Sequence, residues 1–470
     1  MSLSKKILVN TGIQTFGKVF TTVLGVVAFG LMTRYLDTGG FGAYTTITAF
    51  LQFFAIIADC GLSIIAIQML AEPGEKEKKF AVAFTMRVVI IAILTVVAPL
   101  VSLLFPYPEH IKIGIALMAV SFLFSSLIQM GRVIYQVHLR MDIPLLSDVI
   151  SYIILIAGVW GVVHYDLGLN GIIGVITLNN MVQFLVLAIP AHHFTPLKLY
   201  WDRALAGDIW RRSWPIALSI VFNLLYLRTD ILFLSLLKSQ EDVGLYGAAY
   251  RVIDILTSFP MMFMGLAMAP IAAHWSNGSR DGFDRTVQRS FDFMVFSAFP
   301  LVVGTLFVAR DVMVLVSGEA FAPAGSLLQI LIVACGGVFF GSFFGHLITV
   351  IHAQRTMLWR YALTAVIGVS GYALLIPRYS YWGAAWMTVA SELLIVILGG
   401  VLFLQKSGLR LSFSSLAKTL LGCTGMAVFL FTFSGTPVIP RSLGAVVVYA
   451  GILILLGGIP KELLSRFKTT

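Results

Sequence analysis

About fourteen apolar stretches, each near or above the roughly 20 residues that a helix needs to cross a bilayer, follow one another at short intervals along the chain. They lie near 7–34, 41–70, 81–105, 111–131, 144–164, 169–191, 212–237, 243–273, 289–316, 324–351, 359–376, 382–404, 416–433 and 442–459. No polar block between them is long enough for a soluble domain, so the chain reads as one membrane unit with no appended enzyme. Composition agrees: of 470 residues 59% are hydrophobic and 11% charged, with a mean hydropathy of +0.94, against about 25% charged residues in soluble domains. The fold class predicted is an all-α polytopic membrane protein of about 14 transmembrane helices.

The net charge of +10 does not point to nucleic acid, because the basic residues sit in short loops and not along one solvated stripe. They act as topology signals. Lys5, Lys6, Lys76, Lys78, Lys79, Lys198, Arg203, Arg211, Arg212, Arg280, Arg285 and Arg289 all fall in or beside alternate loops, while the other set holds few, Arg34, Lys112, Lys238, Arg310, Arg378 and Arg441 among them. The positive-inside rule then puts both termini in the cytoplasm. Tyr107, Trp201, Trp210, Trp214, Trp359, Tyr379, Tyr381 and Trp382 cluster at span ends, as interface anchors do. Cys60, Cys335 and Cys423 are far apart in apolar segments and suggest neither disulfides nor a metal site. The first span is too long and too polar for a signal-peptide core, so the N-terminus is expected to be retained.

The turn from Arg34 to Tyr44 recurs in outline around Val243 to Tyr246, each closing one long helix and opening the next. This weak repeat predicts two related lobes, 1–191 and 212–404, with two further helices in 416–460. Substrate paths in transporters often run between such halves, so a central cavity is expected.

Charges inside the spans single out that cavity's walls. Lys18, Asp59, Arg87, Asp148, Arg228, Asp230, Arg251, Asp254, Asp292 and Glu392 would cost on the order of 30 kcal/mol if all faced lipid unpaired. The first span carries Asn10, Gln14, Lys18, Thr21 and Thr22 on one face. In the seventh, Ser219, Asn223, Tyr226 and Asp230 form a stripe from which Arg228 points away. In the eighth, Arg251 and Asp254 share a face and can pair with each other. Lys18, Arg87, Arg228, Arg251, Asn10, Gln14 and Asn223 are therefore expected to contact substrate, with Arg251 foremost, and Asp59, Asp230, Asp254 and Glu392 are the candidates for ion coupling. Asp148 and Asp292 read as carboxylates near helix starts, where the dipole favours them, and Arg251 with Asp254 is open to a purely structural reading.

Other features carry less. Gly12 to Lys18 fits a phosphate-loop spacing, but Val19 stands where a hydroxyl is needed and no strand precedes it. Gly337, Gly341 and Gly345 form a ridge for close helix packing. His346 beside it reads as a satisfied interior histidine. Pro260 and Pro270 flank a Met-rich run that permits a kink. The last two spans carry no intramembrane charge and look like an addition outside the two-lobe core.

Gly244-Leu-Tyr246-Gly-Ala-Ala-Tyr250-Arg251, Arg228-Thr-Asp230, the run Thr33 to Tyr44 and the fourteen-span layout together resemble the polysaccharide (oligosaccharidyl-lipid) flippases of the multidrug, oligosaccharidyl-lipid and polysaccharide exporter superfamily. The resemblance implies a two-lobed bundle around a central V-shaped cavity, a cationic lumen, in the bacterial cytoplasmic (inner) membrane. It implies movement of an undecaprenyl-diphosphate-linked O-antigen or exopolysaccharide unit to the outer leaflet, with membrane lipids and other polysaccharide assembly proteins as partners. Lumen residues carry over as a class, buried basic residues, and not as matched positions. The chemistry fits: Arg binds a diphosphate by bidentate hydrogen bonds and Lys as a point charge. No ATPase motif is present, so coupling falls to an H+ or Na+ gradient, with no other cofactor. Competing readings are a multidrug/cation antiporter, a lipid II flippase, and a membrane polymerase or ligase, the last of which would need a sizeable outside loop.

Overall fold

Single left-handed residues, not loops, separate some of the crossings. The computed structural model describes the backbone of residues 3–72 and 74–457, and the side chains of 17–70, 72, 74–214, 217, 218, 220–222, 225 and 228–457. Helix α1 (Leu3–Asp59) holds the first crossing and most of the second, interrupted only at Asp37 (φ 52°). The second crossing finishes in α2 (Leu62–Ala71), after a break at Cys60 (φ 42°) and Gly61 (φ 72°). Then come α3 (Lys76–Ser102), α4 (Glu109–Val137), α5 (Asp142–Tyr165), α6 (Gly168–Ala191), α7 (Arg203–Leu237), α8 (Gln240–Ser276), α9 (Arg280–Ser317), α10 (Ala324–Val350), α11 (Gln354–Ser407), α12 (Ser414–Thr432) and α13 (Val438–Leu455). Helix α11 repeats the device of α1, with one break at Ser380 (φ 50°). Counting both halves of α1 and of α11 gives the fourteen expected crossings, all helical among the described residues. Eleven helices are long and apolar enough to cross a membrane among those described, and α7, at 35 residues, has the length as well.

Two starts lie earlier than the apolar pattern suggests. Helix α7 begins at Arg203, not near 212, because Asp202 caps it, accepting from the N–H groups of Leu205 (3.1 Å) and Ala204 (3.0 Å). Those donors, first the Leu205 N–H, and then Lys78, hold the Asp202 carboxyl below its ordinary range. The cap's contribution is thus complete above the unfolded carboxylate value of about 3.9 and fades as the pH falls through the depressed one. Helix α9 begins at Arg280, not near 289, so Asp292 sits more than three turns inside it. Its expected place at a helix start is corrected: it accepts from Gln288 (2.8 Å) and Ser415 (2.7 Å).

The chain forms two compact units, one of Met1–Gly244 with Val316–Ala320, the other of Leu245–Leu315 with Phe321–Thr470. The division falls after α7, whereas the sequence places it in the loop before α7. In the first unit α4 is central, packing against α1, α2, α3, α5 and α6. Its Met130, Ile134 and Tyr135 join Phe80, Val82 and Ala83 of α3 in one buried cluster. Helix α7 lies against α1, α2 and α3, and the Tyr107 and Ser235 hydroxyls meet at 2.9 Å.

The repeated turns meet in this unit. A Cβ built on Gly42 would lie 1.7 Å from the Gln240 carbonyl oxygen, and one on Gly244 would lie 1.9 Å from that of Thr38. Each glycine faces the carbonyl four residues before the other, so the two backbones touch directly. Thr46 donates to the Gln240 side chain (2.8 Å) beside them.

In the second unit α10 packs along α11. The glycine ridge makes the contact: Gly337 would place a Cβ 3.1 Å from that of Glu392, and Gly341 faces Ile395 and Val396. Tyr246 and Tyr372, both fully buried, share the Thr388 hydroxyl at 3.2 Å each. Helices α12 and α13 are tied to α9 by the Asp292–Ser415 bond, by Tyr449 donating to the Phe296 carbonyl (2.9 Å), and by an Arg441–Asp311 ion pair. Arg441 is 4% exposed, so these helices do carry a buried charge.

Gly42→Ala and Gly244→Ala are expected to lower stability by about 1–3 kcal/mol each, the usual range for overpacking, in thermal melts of the detergent-solubilised protein. Gly207→Ala, on exposed α7 with nothing within 4 Å of the added carbon, is expected to be neutral or slightly stabilising.

Candidate functional site: intramembrane charges

The helix break at Cys60 and Gly61 follows directly on Asp59, whose carboxylate bridges the break to the start of α2. Its Oδ2 accepts from Gly61 N (3.2 Å) and its Oδ1 from the Ser63 hydroxyl (2.6 Å). Oδ1 also pairs with the Arg87 guanidinium of α3. Arg87 is 0% exposed and spends its remaining donors inside the unit, Nε on Ser126 (2.6 Å) and Nη2 on Gln129 (3.4 Å). An arginine buried to this degree is tolerated because a charge partner and neutral acceptors surround it. The structure thus joins a residue expected to bind substrate to one expected to couple ions, and it places Arg87 in the protein interior instead of on a wetted wall.

One turn further along α4 a second charged cluster begins. Arg132 pairs with Asp148 of α5, whose Oδ1 also accepts from Gln183 of α6 (2.6 Å). Asp148 lies six residues inside α5, so it serves as a bridge between three helices and not as a dipole-stabilised start. Asn180 of α6 donates to the Ser121 hydroxyl (2.8 Å), and the neighbouring Asn179 carbonyl oxygen is buried without a partner. Helix α4 therefore carries a polar seam, Ser121, Ser126, Gln129 and Arg132, through an otherwise apolar core. The seam was missed in the sequence because its spacing is irregular for one helix face; it serves α3 on one side and α5 and α6 on the other.

The remaining predicted residues are dispersed. Lys18 is exposed on α1, and among the described residues its ammonium makes no hydrogen bond or ion pair. Thr21 and Thr22 beside it bond back to helix carbonyls (2.8 and 2.6 Å). Asn10, Gln14 and Asn223 lie outside the described side chains. Asp230 is fully buried and Arg228 only half-buried, as expected of residues two apart on a helix; Asp230 Oδ1 accepts from the Ile231 N–H (2.8 Å).

In the second unit Arg251 is exposed on α8, and among the described residues no ion pair joins it to Asp254, which is half-buried. Glu392 is 4% exposed against Gly337, near Cys335 and Tyr361, with no hydrogen bond among the described residues. His346 donates from Nδ1 to the Ser342 carbonyl (2.8 Å), a satisfied histidine of the α10 ridge. The phosphate-loop spacing from Gly12 to Lys18 lies within α1.

Fourteen helical crossings in two units, with Arg87 and Arg132 each paired to a carboxylate of another helix, define a polytopic helical membrane protein. The chain belongs to the polysaccharide biosynthesis protein family, whose model matches residues 7–275, and the MatE model matches residues 215–373. No curated sequence matches it. Its fold is that of the lipid II flippase MurJ in an inward closed conformation, with a TM-score of 0.79, 14% identity and coverage of 96% of this chain and 99% of that one. It is also that of an inward-facing multidrug resistance MATE family transporter of the MOP superfamily, at TM-score 0.69, 14% identity and coverage of 83% and 94%. A MOP superfamily transporter from Pyrococcus furiosus, titled for the reverse polarity of its binding pocket, matches at TM-score 0.53 and 14% identity over 86% and 94%. These are a flippase and two transporters, not enzymes.

Opening the Asp59–Arg87 pair from one side is expected to be costly. Asp59→Leu or Arg87→Met alone leaves a buried group uncompensated and is expected to cost about 3–5 kcal/mol, whereas the two substitutions combined are expected to recover much of the loss. Thermal stability of the four proteins in detergent, combined as a double-mutant cycle, checks this.

Proposed function

We propose that the protein translocates an undecaprenyl-diphosphate-linked oligosaccharide, an O-antigen or exopolysaccharide repeat unit, from the inner to the outer leaflet of a bacterial cytoplasmic membrane by alternating access. The observation that carries the reading is the pair of exposed cations, Lys18 on α1 and Arg251 on α8, without partners among the described residues. Both stand within membrane-crossing helices. An exposed cation at membrane depth suits an anionic ligand, and a diphosphate is a strong one. Membership in the polysaccharide biosynthesis family supports the saccharide half of the reading. The prenyl tail can remain in lipid while the head group crosses.

Coupling is assigned to an H+ or Na+ gradient acting on Asp59, Asp230, Asp254 or Glu392, of which Glu392 is buried without a hydrogen bond among the described residues. Arg87, Arg228, Asn10, Gln14 and Asn223 stay secondary candidates for substrate contact. Both termini are taken as cytoplasmic, and other polysaccharide assembly proteins as partners. A second reading, lipid II as substrate, is favoured by the likeness to the MurJ structure over nearly the whole of both chains. Its head group is also a diphosphate-linked saccharide. A cation antiporter is less well supported, since the exposed intramembrane charges are basic.

A leaflet-protection assay in proteoliposomes, with a lipid-linked oligosaccharide or lipid II as substrate, tests these readings. Arg251→Gln and Lys18→Gln are each expected to slow translocation about 10- to 100-fold, the loss of one charged hydrogen bond at about 1.5–3 kcal/mol. Unchanged rates in both variants would remove the cationic-contact mechanism. Glu392→Gln is expected to abolish acceleration by an imposed H+ or Na+ gradient while leaving slow, gradient-independent exchange.

A further inference from the structure

We infer that the leading turns of α7 form a docking stripe for anionic phospholipid head groups, in the leaflet where this helix enters the membrane. Helix α7 has 35 residues, or about 52 Å at 1.5 Å per residue, against a hydrocarbon core of about 30 Å. Its first three turns, Arg203 to Trp214, therefore lie at the interface. They are two-faced. Ala206, Ile209 and Ser213 are buried against the unit, while Arg203, Trp210, Arg211 and Trp214 are exposed and recur at intervals of three, four and seven, on one side of the helix. The next residue on this side is Leu218, 39% exposed. The stripe thus changes from basic and aromatic to apolar in the direction of the span, as a surface does that passes from head groups into acyl chains.

Charge decides the occupant. The acids of this segment are committed elsewhere: Asp202 caps the helix and pairs with Lys78, and Asp208 pairs with Arg212 at 2.9 Å. Arg212 turns toward Glu72 of the same unit (3.0 Å). Arg211 reaches Asp208 only at 3.4 Å, with its side chain 81% exposed. Arg203 makes no ion pair or hydrogen bond among the described residues. The stripe therefore keeps an uncompensated positive charge between two tryptophans. The C-terminal residues 458–470 do not complement it, since they carry Lys461, Arg466 and Lys468 against one acid, Glu462, and the first residues of the chain carry Lys5 and Lys6 without an acid. An anionic lipid surface does: two guanidinium forks suit phosphate oxygens, and indole rings suit the head-group level.

Gly207, exposed on the same stripe with nothing within 4 Å of an added Cβ, provides a label site. In a Cys60→Ser background, the other thiols being buried, Gly207→Cys carries a bimane fluorophore. The full chain is reconstituted in vesicles of phosphatidylcholine and phosphatidylglycerol in equal parts, with one or the other lipid brominated. Brominated phosphatidylglycerol is expected to quench at least about twofold more strongly than brominated phosphatidylcholine, the ratio falling toward one at high salt. Arg203→Gln combined with Arg211→Gln, eluting as a single species, is expected to bring the ratio to one without salt. A ratio of one in the parent, or a raised ratio that survives the double substitution, overturns the inference. So does a label quenched by neither lipid, which would mean that water or a protein occupies the stripe. No transport is read, so the outcome stands apart from the translocation reading.

Discussion

An ionised side chain in hydrocarbon costs roughly 2.5–3.5 kcal/mol on insertion scales, and the first unit is organised around meeting that cost inside the protein. Asp59 neutralises Arg87, Asp148 neutralises Arg132, and α4 presents Ser126 and Gln129 to the donors left over. Because the ion pairs join α1 to α3 and α4 to α5, and hydrogen bonds carry them on from Arg87 to α4 and from Asp148 to α6, packing in that unit cannot slide without uncovering a charge. The break in the second crossing belongs to the same arrangement. Asp59 bonds both the backbone of the break, at Gly61, and Arg87, so helix termination and charge burial share one carboxylate.

The second unit relies more on backbone proximity and aromatic packing. Glycines let α10 approach α11 closely, and Phe291, Phe340, Phe343 and Phe344 fill the space around them. Its buried carboxylate, Glu392, stands apart from that pattern, enclosed but without a hydrogen bond among the described residues. A group kept in that condition contributes little to packing, which is why it belongs among the coupling candidates. Lys18 and Arg251 form the complementary class, charged and exposed on apolar helices. The contrast between neutralised and unneutralised charges separates residues that hold the fold from those available to a ligand.

The residues whose charge needs shelter could be read from residue types, and their partners could not. Periodicity put Arg228 and Asp230 on different faces, and the structure has one fully buried and the other half-buried. It also allowed Arg251 to pair with Asp254, which does not happen, because a shared face permits a contact without requiring it. The partner of Arg87 lies 28 residues away and that of Arg441 lies 130 residues away, distances across which one chain carries no pairing signal. Hydropathy also stops at the interface, so it trimmed α7 and α9 to their apolar parts and misread Asp292 as a helix start.

The sequence by itself determined the number of crossings, their helical character and the types of group that need shelter, because hydrocarbon imposes length and polarity limits on every segment independently. Tertiary structure decided which charges shelter one another, where single left-handed residues such as Asp37 and Ser380 replace loops, and that Gly42 and Gly244 bring two backbones into contact. Those outcomes depend on which helices become neighbours, and neighbourhood is a property of the packed bundle, not of any one of its spans.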